Sequence, residues 1–389
     1  MYFFSKFSLF LYWTLFYGLF FLLLHAEKEK PLYVMKRLYL FFIALVMSYS
    51  LFAQDTIRVG VMLPLHNVDG DGRRMIEYYR GLLLGIDDLK AKGKNIAVYA
   101  WNVPVNADPR TVLVQENASK CNIIFGPLYS KFVKVMADFC KAYNIKLVIP
   151  FSITGDEVDK YSNIYQVYQD QADIDAATVK RIMINFTGYH PVIINCNDTL
   201  SRKGAFTTAL RQAFDASGVK YNITNIINPD DTFEKAFSDA RKNLVILNSA
   251  RSPELTRAIT KLDTLMAHNP DMQVTMFGYN EWLMYAKYNK SNFEKYNVHL
   301  PSYYYYNENG RQTKAIEDKY YRNFHERMSY ALPRFALTGY DHAMYFIGNT
   351  TKWIQTPLNF EKTPNGGYRN KAYYLVHYKP TGGVEAVKY

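Results

Sequence analysis

From residue 57 onward, short apolar runs alternate with longer segments whose apolar positions recur every three or four residues. The first run, Ile57-Arg-Val-Gly-Val-Met-Leu63, is β-branched and stops at Pro64. Residues 73–92 then place Met75, Ile76, Tyr79, Leu82, Leu83, Ile86 and Leu89 at helical spacing. The same reading predicts strands at 95–101, 122–125 and 145–150, with helices at 109–119 and 130–143. After about residue 170 the series repeats. Helices are expected at 172–186, 204–217, 233–242 and 252–268, and strands at 191–195, 221–227, 244–248 and 273–277. Strands that alternate with helices of ten or more residues imply parallel sheets covered on both faces. Two such series predict an α/β protein of two doubly wound parallel-sheet lobes.

The tail breaks the alternation. Residues 298–306 read as extended and Tyr-rich, 312–328 and 339–353 as helices, and 372–377 with 383–388 as a hairpin around Lys379-Pro-Thr-Gly-Gly383. No Gly-, Ser- or Pro-rich linker divides the chain, so short strand-like hinges are expected to join the lobes. The expected division gives 54–169 with about 299–355 to lobe 1, and 170–298 with about 356–389 to lobe 2.

The first 53 residues have a different character. Residues 7–24 are apolar and uncharged, just long enough for a membrane helix. A second pattern starts at Met35: Lys36 and Arg37, an apolar stretch over 38–47, and Ala53 as a small residue before a cleavage point. That is the layout of a secretory signal peptide. We expect translation from Met35, residues 1–34 as an upstream extension, a signal peptide over 35–53, and a mature periplasmic protein from Gln54. The alternative is a genuine anchor in 1–34, which would tether the protein to the membrane.

Composition sharpens the class. The chain has 389 residues, 49% hydrophobic and 21% charged, enough apolar content for a real core. The formal net charge is +11, to which the leader contributes Lys6, Lys28, Lys30, Lys36 and Arg37 against Glu27 and Glu29. The basic residues form no stripe with interleaved aromatics, so nucleic acid is not an expected partner. The three cysteines have no metal or redox spacing. In an exported chain a Cys121–Cys140 bridge and two buried thiols both remain open, and Cys196 is expected to be free. Gly70-Asp-Gly72-Arg-Arg-Met75 misses the third glycine of a dinucleotide loop, and the eight His are scattered. Nothing argues for an enzyme, a metal or a cofactor.

At Ile123-Ile-Phe-Gly-Pro-Leu-Tyr-Ser130 a resemblance emerges. This segment is similar to the type 1 periplasmic binding proteins, the leucine/isoleucine/valine-binding class of solute receptors. Further segments agree in order: Ile57-Arg-Val-Gly-Val-Met-Leu-Pro-Leu65, Tyr79-Arg-Gly-Leu-Leu-Leu-Gly-Ile-Asp87, Leu147-Val-Ile-Pro-Phe-Ser-Ile-Thr154 and Leu337-Thr-Gly-Tyr-Asp341. The ending, Gly366-Gly-Tyr-Arg-Asn-Lys-Ala-Tyr-Tyr-Leu-Val376, resembles receptor-like domains that some bacteria fuse to LysM modules.

The resemblance implies a ligand carboxylate held at a helix start by Ser130, beside Tyr129, with Ser152 and Thr154 from the next loop. A helix N-terminus there offers free N–H groups to an anion, although Ser130 could equally cap its own helix. The family holds the ligand ammonium with an acidic residue and an aromatic cage from the second lobe. Here Asn280 or Glu281 matches the acidic position, while the cage positions read Arg202, Lys203 and Arg251. Three cations there suit an acidic ligand; as plain surface charges they would do nothing of the kind. Tyr340 and Asp341 are expected to pack the lobe. Two functions are implied. One is an exported receptor that closes on a small, acidic, amino-acid-like ligand for an ABC-type transporter permease. The other is a ligand-poor interaction protein on the same fold, with a cell-wall or peptidoglycan component as its partner.

Overall fold

The computed structural model describes residues 56–151, 155–201, 203–364 and 366–389. The two apolar runs, the expected signal peptide and Gln54 lie outside the described residues, as do Ser152, Thr154 and Arg202.

Alternation folds as the pattern requires. β1 (Ile57–Leu63) carries five consecutive buried residues, Val59 to Leu63, as a strand covered on both faces must. It lies between β2 (Ile96–Asn102) and β3 (Ile123–Phe125), parallel to both. β4 (Lys146–Ile149) and β5 (Ile164–Gln166) extend the sheet. The second sheet repeats the plan with β6 (His190–Asn195), β7 (Asn222–Asn225), β8 (Asn243–Leu247) and β9 (Val274–Phe277), again parallel.

The edges are completed by exchange. β10 (His299–Ser302) joins the second sheet beside β9, and β13 (Tyr374–Tyr378) with β14 (Val384–Lys388) adds antiparallel to it. β11 (Phe360–Lys362) and β12 (Tyr368–Asn370) join the first sheet through β5. Among the described residues the two sheets have seven strands each, ordered β11-β12-β5-β4-β3-β1-β2 and β14-β13-β10-β9-β8-β6-β7. This corrects the expected boundaries. His299 to Ser302 belong with lobe 2 and Phe360 to Asn370 with lobe 1. The reason is pairing: strands of three or four residues carry too little apolar pattern to announce which sheet they complete.

Helices cover the faces. Those used below are α1 (Gly70–Ala91), α2 (Arg110–Leu113), α3 (Val133–Ala142), α4 (Gln171–Asn185), α5 (Gly204–Ala216), α6 (Asp230–Glu234), α7 (Ser252–His268), α8 (Ala286–Lys295), α9 (Arg311–Phe324) and α10 (Phe335–Phe346). Asp69 caps α1, its carboxylate accepting from the Gly72 N–H at 2.7 Å. α1 and α10 touch backbone to backbone: a Cβ on Gly81 would stand 1.8 Å from the Ala336 carbonyl oxygen, and one on Gly339 would stand 2.1 Å from that of Tyr78.

Asp341 holds the segment after α10 in place. Its buried carboxylate accepts the backbone N–H groups of Ile354, Gln355 and Thr356 at 2.6–2.8 Å. Tyr340 donates to Asp88 at 2.8 Å, so both residues pack lobe 1 as expected.

Several expected helices shorten. Residues 109–119 hold only α2, followed by turns such as Gln115 N–H to Val112 O. Residues 233–242 give way after α6, because the Asn243 amide takes the Ser238 N–H and donates back to the Ser238 carbonyl. The helix read as 312–328 ends at Phe324, where His325 turns to φ 55°. The one read as 339–353 is α10, shifted toward the N-terminus. α8 was absent from the expectation, since its Lys- and Asn-rich sequence shows little amphipathic pattern. Cys121, Cys140 and Cys196 are buried free thiols, which decides against a Cys121–Cys140 bridge.

Contacts between the lobes gather where the chain crosses, at 167–170, 303–310 and 371–373. Arg369 on β12 pairs with Asp159 in lobe 1 and with Asp170 at the first crossing, while Lys371 pairs with Asp173 on α4 at 2.7 Å. Gln169 donates to the Ala372 carbonyl at 2.5 Å, tying the first crossing to the third.

Two histidines, His342 buried and His299 half-buried, make the fold acid-sensitive. His342 on α10 bonds Tyr78 at 2.9 Å, and burial lowers its pKa from 6.5 to about 3. His299 stacks on His377 at 4.0 Å, and burial, then the neighbouring imidazole, lowers it to about 3 as well. A depressed folded pKa leaves stability complete above the unfolded value near 6.5 and lost as pH falls toward the folded one. Each histidine is therefore expected to remove about 1.4 kcal/mol per pH unit below that point. Urea denaturation at pH 7.5 and pH 5.0 should show about 2 kcal/mol lost per histidine, and His342→Gln should flatten the slope by its share.

Candidate functional site

In open α/β sheets the free ends of strands and the starts of the following helices meet at one edge. Each lobe presents such an edge, and the residues singled out from the sequence divide between them.

On lobe 1 the loop after β3 carries Tyr129 and Ser130. Gly126 makes this loop possible: its φ is +135°, and a Cβ there would lie 2.2 Å from the Met62 carbonyl oxygen. Ser130 is half-buried and opens the 3-10 turn Ser130–Phe132 that leads into α3. The Tyr129 hydroxyl donates to Asp71 at 3.3 Å. Burial first, then the Asp71 and Asp69 carboxylates, pushes that hydroxyl up to about 12, so it stays protonated and a donor. Asp71 also pairs with Arg74. Carboxylates therefore stand at this wall beside the helix start.

On lobe 2 the structure brings Lys203, Asn280 and Glu281 together. Lys203 is the residue before α5, and Asn280 opens the 3-10 turn Asn280–Met284 after β9. The Lys203 Nζ lies 2.7 Å from Glu281 Oε1 and 4.7 Å from the centre of the Tyr279 ring, and its side chain is 13% exposed. Tyr279 is itself buried, donating its hydroxyl to the Leu247 carbonyl at 2.5 Å. The second carboxylate oxygen of Glu281 is buried without a hydrogen-bond partner. Asn280 and Tyr303 line the same cavity, and Tyr303 packs on Tyr168 at 4.4 Å beside the crossings.

Arg251 stands elsewhere. Its guanidinium pairs with Asp198 at 2.9 Å, and Asp198 also accepts from Ser249 at 2.6 Å. The Ser249 hydroxyl, then Arg251, holds the Asp198 carboxyl below its usual range. Of the three expected cations, then, Arg251 and Lys203 each already hold a carboxylate, and Arg202 lies outside the described residues. The sequence singled out Glu281 for a ligand's ammonium rather than for Lys203, and it did not single out Asp198, which sits in a different loop from Arg251.

A small cavity opens at this second-lobe edge, lined among others by Gln171, Asp175, Thr178, Lys203, Asn280 and Ser302. Thr178 is 2% exposed, and its hydroxyl has no partner. Asp175 and Thr178 were not singled out. Their signal was available: Gln171, Ile174, Asp175 and Thr178 fall at helical spacing on the first turns of α4. Among the described residues no group of three His, Cys, Asp or Glu is placed to hold a metal, and no helix is long and apolar enough to cross a membrane.

No family model matches the chain, and no curated protein sequence does. Solved structures match throughout. A Rhodospirillum rubrum protein assigned to branched-chain amino acid ABC transport aligns with a TM-score of 0.54 and 14% identity, over 86% of this chain and 96% of its own. The chain has the type 1 periplasmic binding protein fold. A branched-chain amino acid ABC transporter periplasmic ligand-binding protein from Burkholderia xenovorans gives 0.50 and 13%, over 85% of this chain and 94% of that one. Full-length LpoA from Haemophilus influenzae gives 0.51 and 15%, covering 92% of this chain and 66% of LpoA. The placement of the 3-10 turn with Asn280 and Glu281 depends on Gly278.

A Cβ on Gly278 would stand 2.2 Å from the ring of Trp282, which is wholly buried. Gly278→Ala is therefore expected to cost about 1–3 kcal/mol through overpacking. Thermal unfolding should show a Tm several degrees lower, and an unchanged Tm would mean that the ring yields.

Proposed function

We propose that the protein is an exported solute-binding receptor that closes its two lobes on a small acid of amino-acid size and presents the closed form to an ABC-type permease. The observation that carries this reading is the cavity at the carboxyl edge of the second sheet, where the buried Thr178 hydroxyl lacks a partner. Buried polar groups are ordinarily satisfied, and groups left open at a cavity wall are where solvent or a ligand completes them. The starts of α4 and α5 line the same space and favour one negative group. Asp175, on the same lining, discourages a second. From lobe 1, Ser130 at its helix start is proposed to meet this same acidic group when the lobes close. The receptor performs no chemistry on the solute. Closure excludes water, which strengthens each of these contacts.

The second reading, an interaction protein for a cell-wall component, has one observation in its favour: Lys203 and Arg251 are already paired within the chain.

A thermal-shift screen of the full chain against amino acids, other mono- and dicarboxylates, short peptides and muropeptides separates the two. A bound acid at a hundred times its Kd should stabilise by about 2.7 kcal/mol. Ser130→Ala should then weaken that acid by about 1–2 kcal/mol, five- to thirty-fold. A response to muropeptides alone would support the second reading. No response to any small acid would end the first.

A further inference from the structure

Lys203 is held in a way that itself describes a binding site. An ammonium group sits 2.7 Å from a carboxylate and 4.7 Å from an aromatic ring centre, with only 13% of its side chain exposed. A carboxylate beside a ring face is what a protein offers to any ammonium-bearing ligand. Here the chain fills that place with its own side chain. The same cavity is lined by Lys203 and by Tyr279, so the pair faces the space a solute would enter.

We propose that Lys203 is a tethered internal ligand for the cation site of Glu281 and Tyr279, and that the solute held at this wall therefore carries no ammonium group. The argument is electrostatic and steric. A second ammonium would need the same Glu281 carboxylate while lying against the first, and like charges in a partly dry pocket repel strongly. To seat an α-amino acid the site would have to expel Lys203, leaving a cation at a wall that already holds the ligand's. A solute with one carboxylate and no amine makes no such demand. It can use the Thr178 hydroxyl and the Asn280 amide while Lys203 stays on Glu281. This deepens the receptor reading and rests on it for the solute. The tethering of Lys203 stands on its own geometry.

The test uses the full chain and Lys203→Ala, with n-butylammonium chloride as the probe and sodium chloride at equal ionic strength as the control. Lys203→Ala empties the cation site. Its Tm should drop, and millimolar n-butylammonium should restore about 2–4 °C of it. The control salt should not, and the parent protein should be unmoved by the amine. If Lys203→Ala does not fold in buffer, refolding from urea with and without the amine is the same test, and recovery only with the amine supports the proposal. No rescue in either form overturns it. So does an α-amino acid that stabilises the parent protein, since it would show the site free to accept an ammonium. If rescue succeeds but no carboxylate binds the parent protein, the tethered lysine stands and the receptor reading fails.

Discussion

Each sheet is completed by chain that has already visited the other lobe. β10 leaves the second sheet toward helices that cover the first. β11 and β12 close the first sheet before β13 and β14 return to the second. An edge strand cannot leave without exposing a row of unpaired backbone groups, so neither lobe is free to dissociate. The chain must cross between lobes three times, and the crossings lie side by side. That constraint gives the molecule a hinge without any flexible linker. It also explains why charges such as Arg369 with Asp159 and Asp170, and Lys371 with Asp173, concentrate there. They bind short segments that must bend together.

The hinge places the cavity as well. The starts of α4 and of the segment after β10 are the two ends of crossings, and both line the space beside Lys203. Motion of one lobe relative to the other would therefore be felt at Tyr303, which lines the cavity with Asn280 and packs against Tyr168 of the first crossing. The Tyr-rich stretch, expected to be an ordinary strand, is a strand only to Ser302 and then becomes the wall of the site. Its rings are large and rigid, which suits a surface that must hold its shape while the backbone beneath it turns.

Much of this was legible in the sequence where the physical signal was long. Twenty-two residues of amphipathic α1 and the five buried residues of β1 stand out because period and burial agree. What failed was short or non-local. The three-residue strands β5, β11 and β12 carry no period. The segment after α6 looked helical until the side chain of Asn243 took its backbone groups. The site residues were half legible for the same reason. Lys203, Asn280 and Glu281 come after strand ends, and that position alone marked them. That Lys203 would meet Glu281, and Arg251 would meet Asp198, depended on separations of tens of residues along the chain that no local pattern records.

This difference changes the chemistry of the cleft. Three unpaired cations would make an electrostatic funnel for acids, with affinity falling steeply in salt. Instead Arg251 is spent on Asp198 away from the cavity and Lys203 on Glu281 beside it, so selection passes to groups that remain open. On the second lobe those are a hydroxyl and one carboxylate oxygen, both buried. A buried group left open penalises every solute that fails to satisfy it. Specificity on such a wall arises less from attraction at a distance than from the cost of leaving Thr178 and Glu281 unmet once water has gone. A wall built this way discriminates by shape and hydrogen bonding rather than by charge.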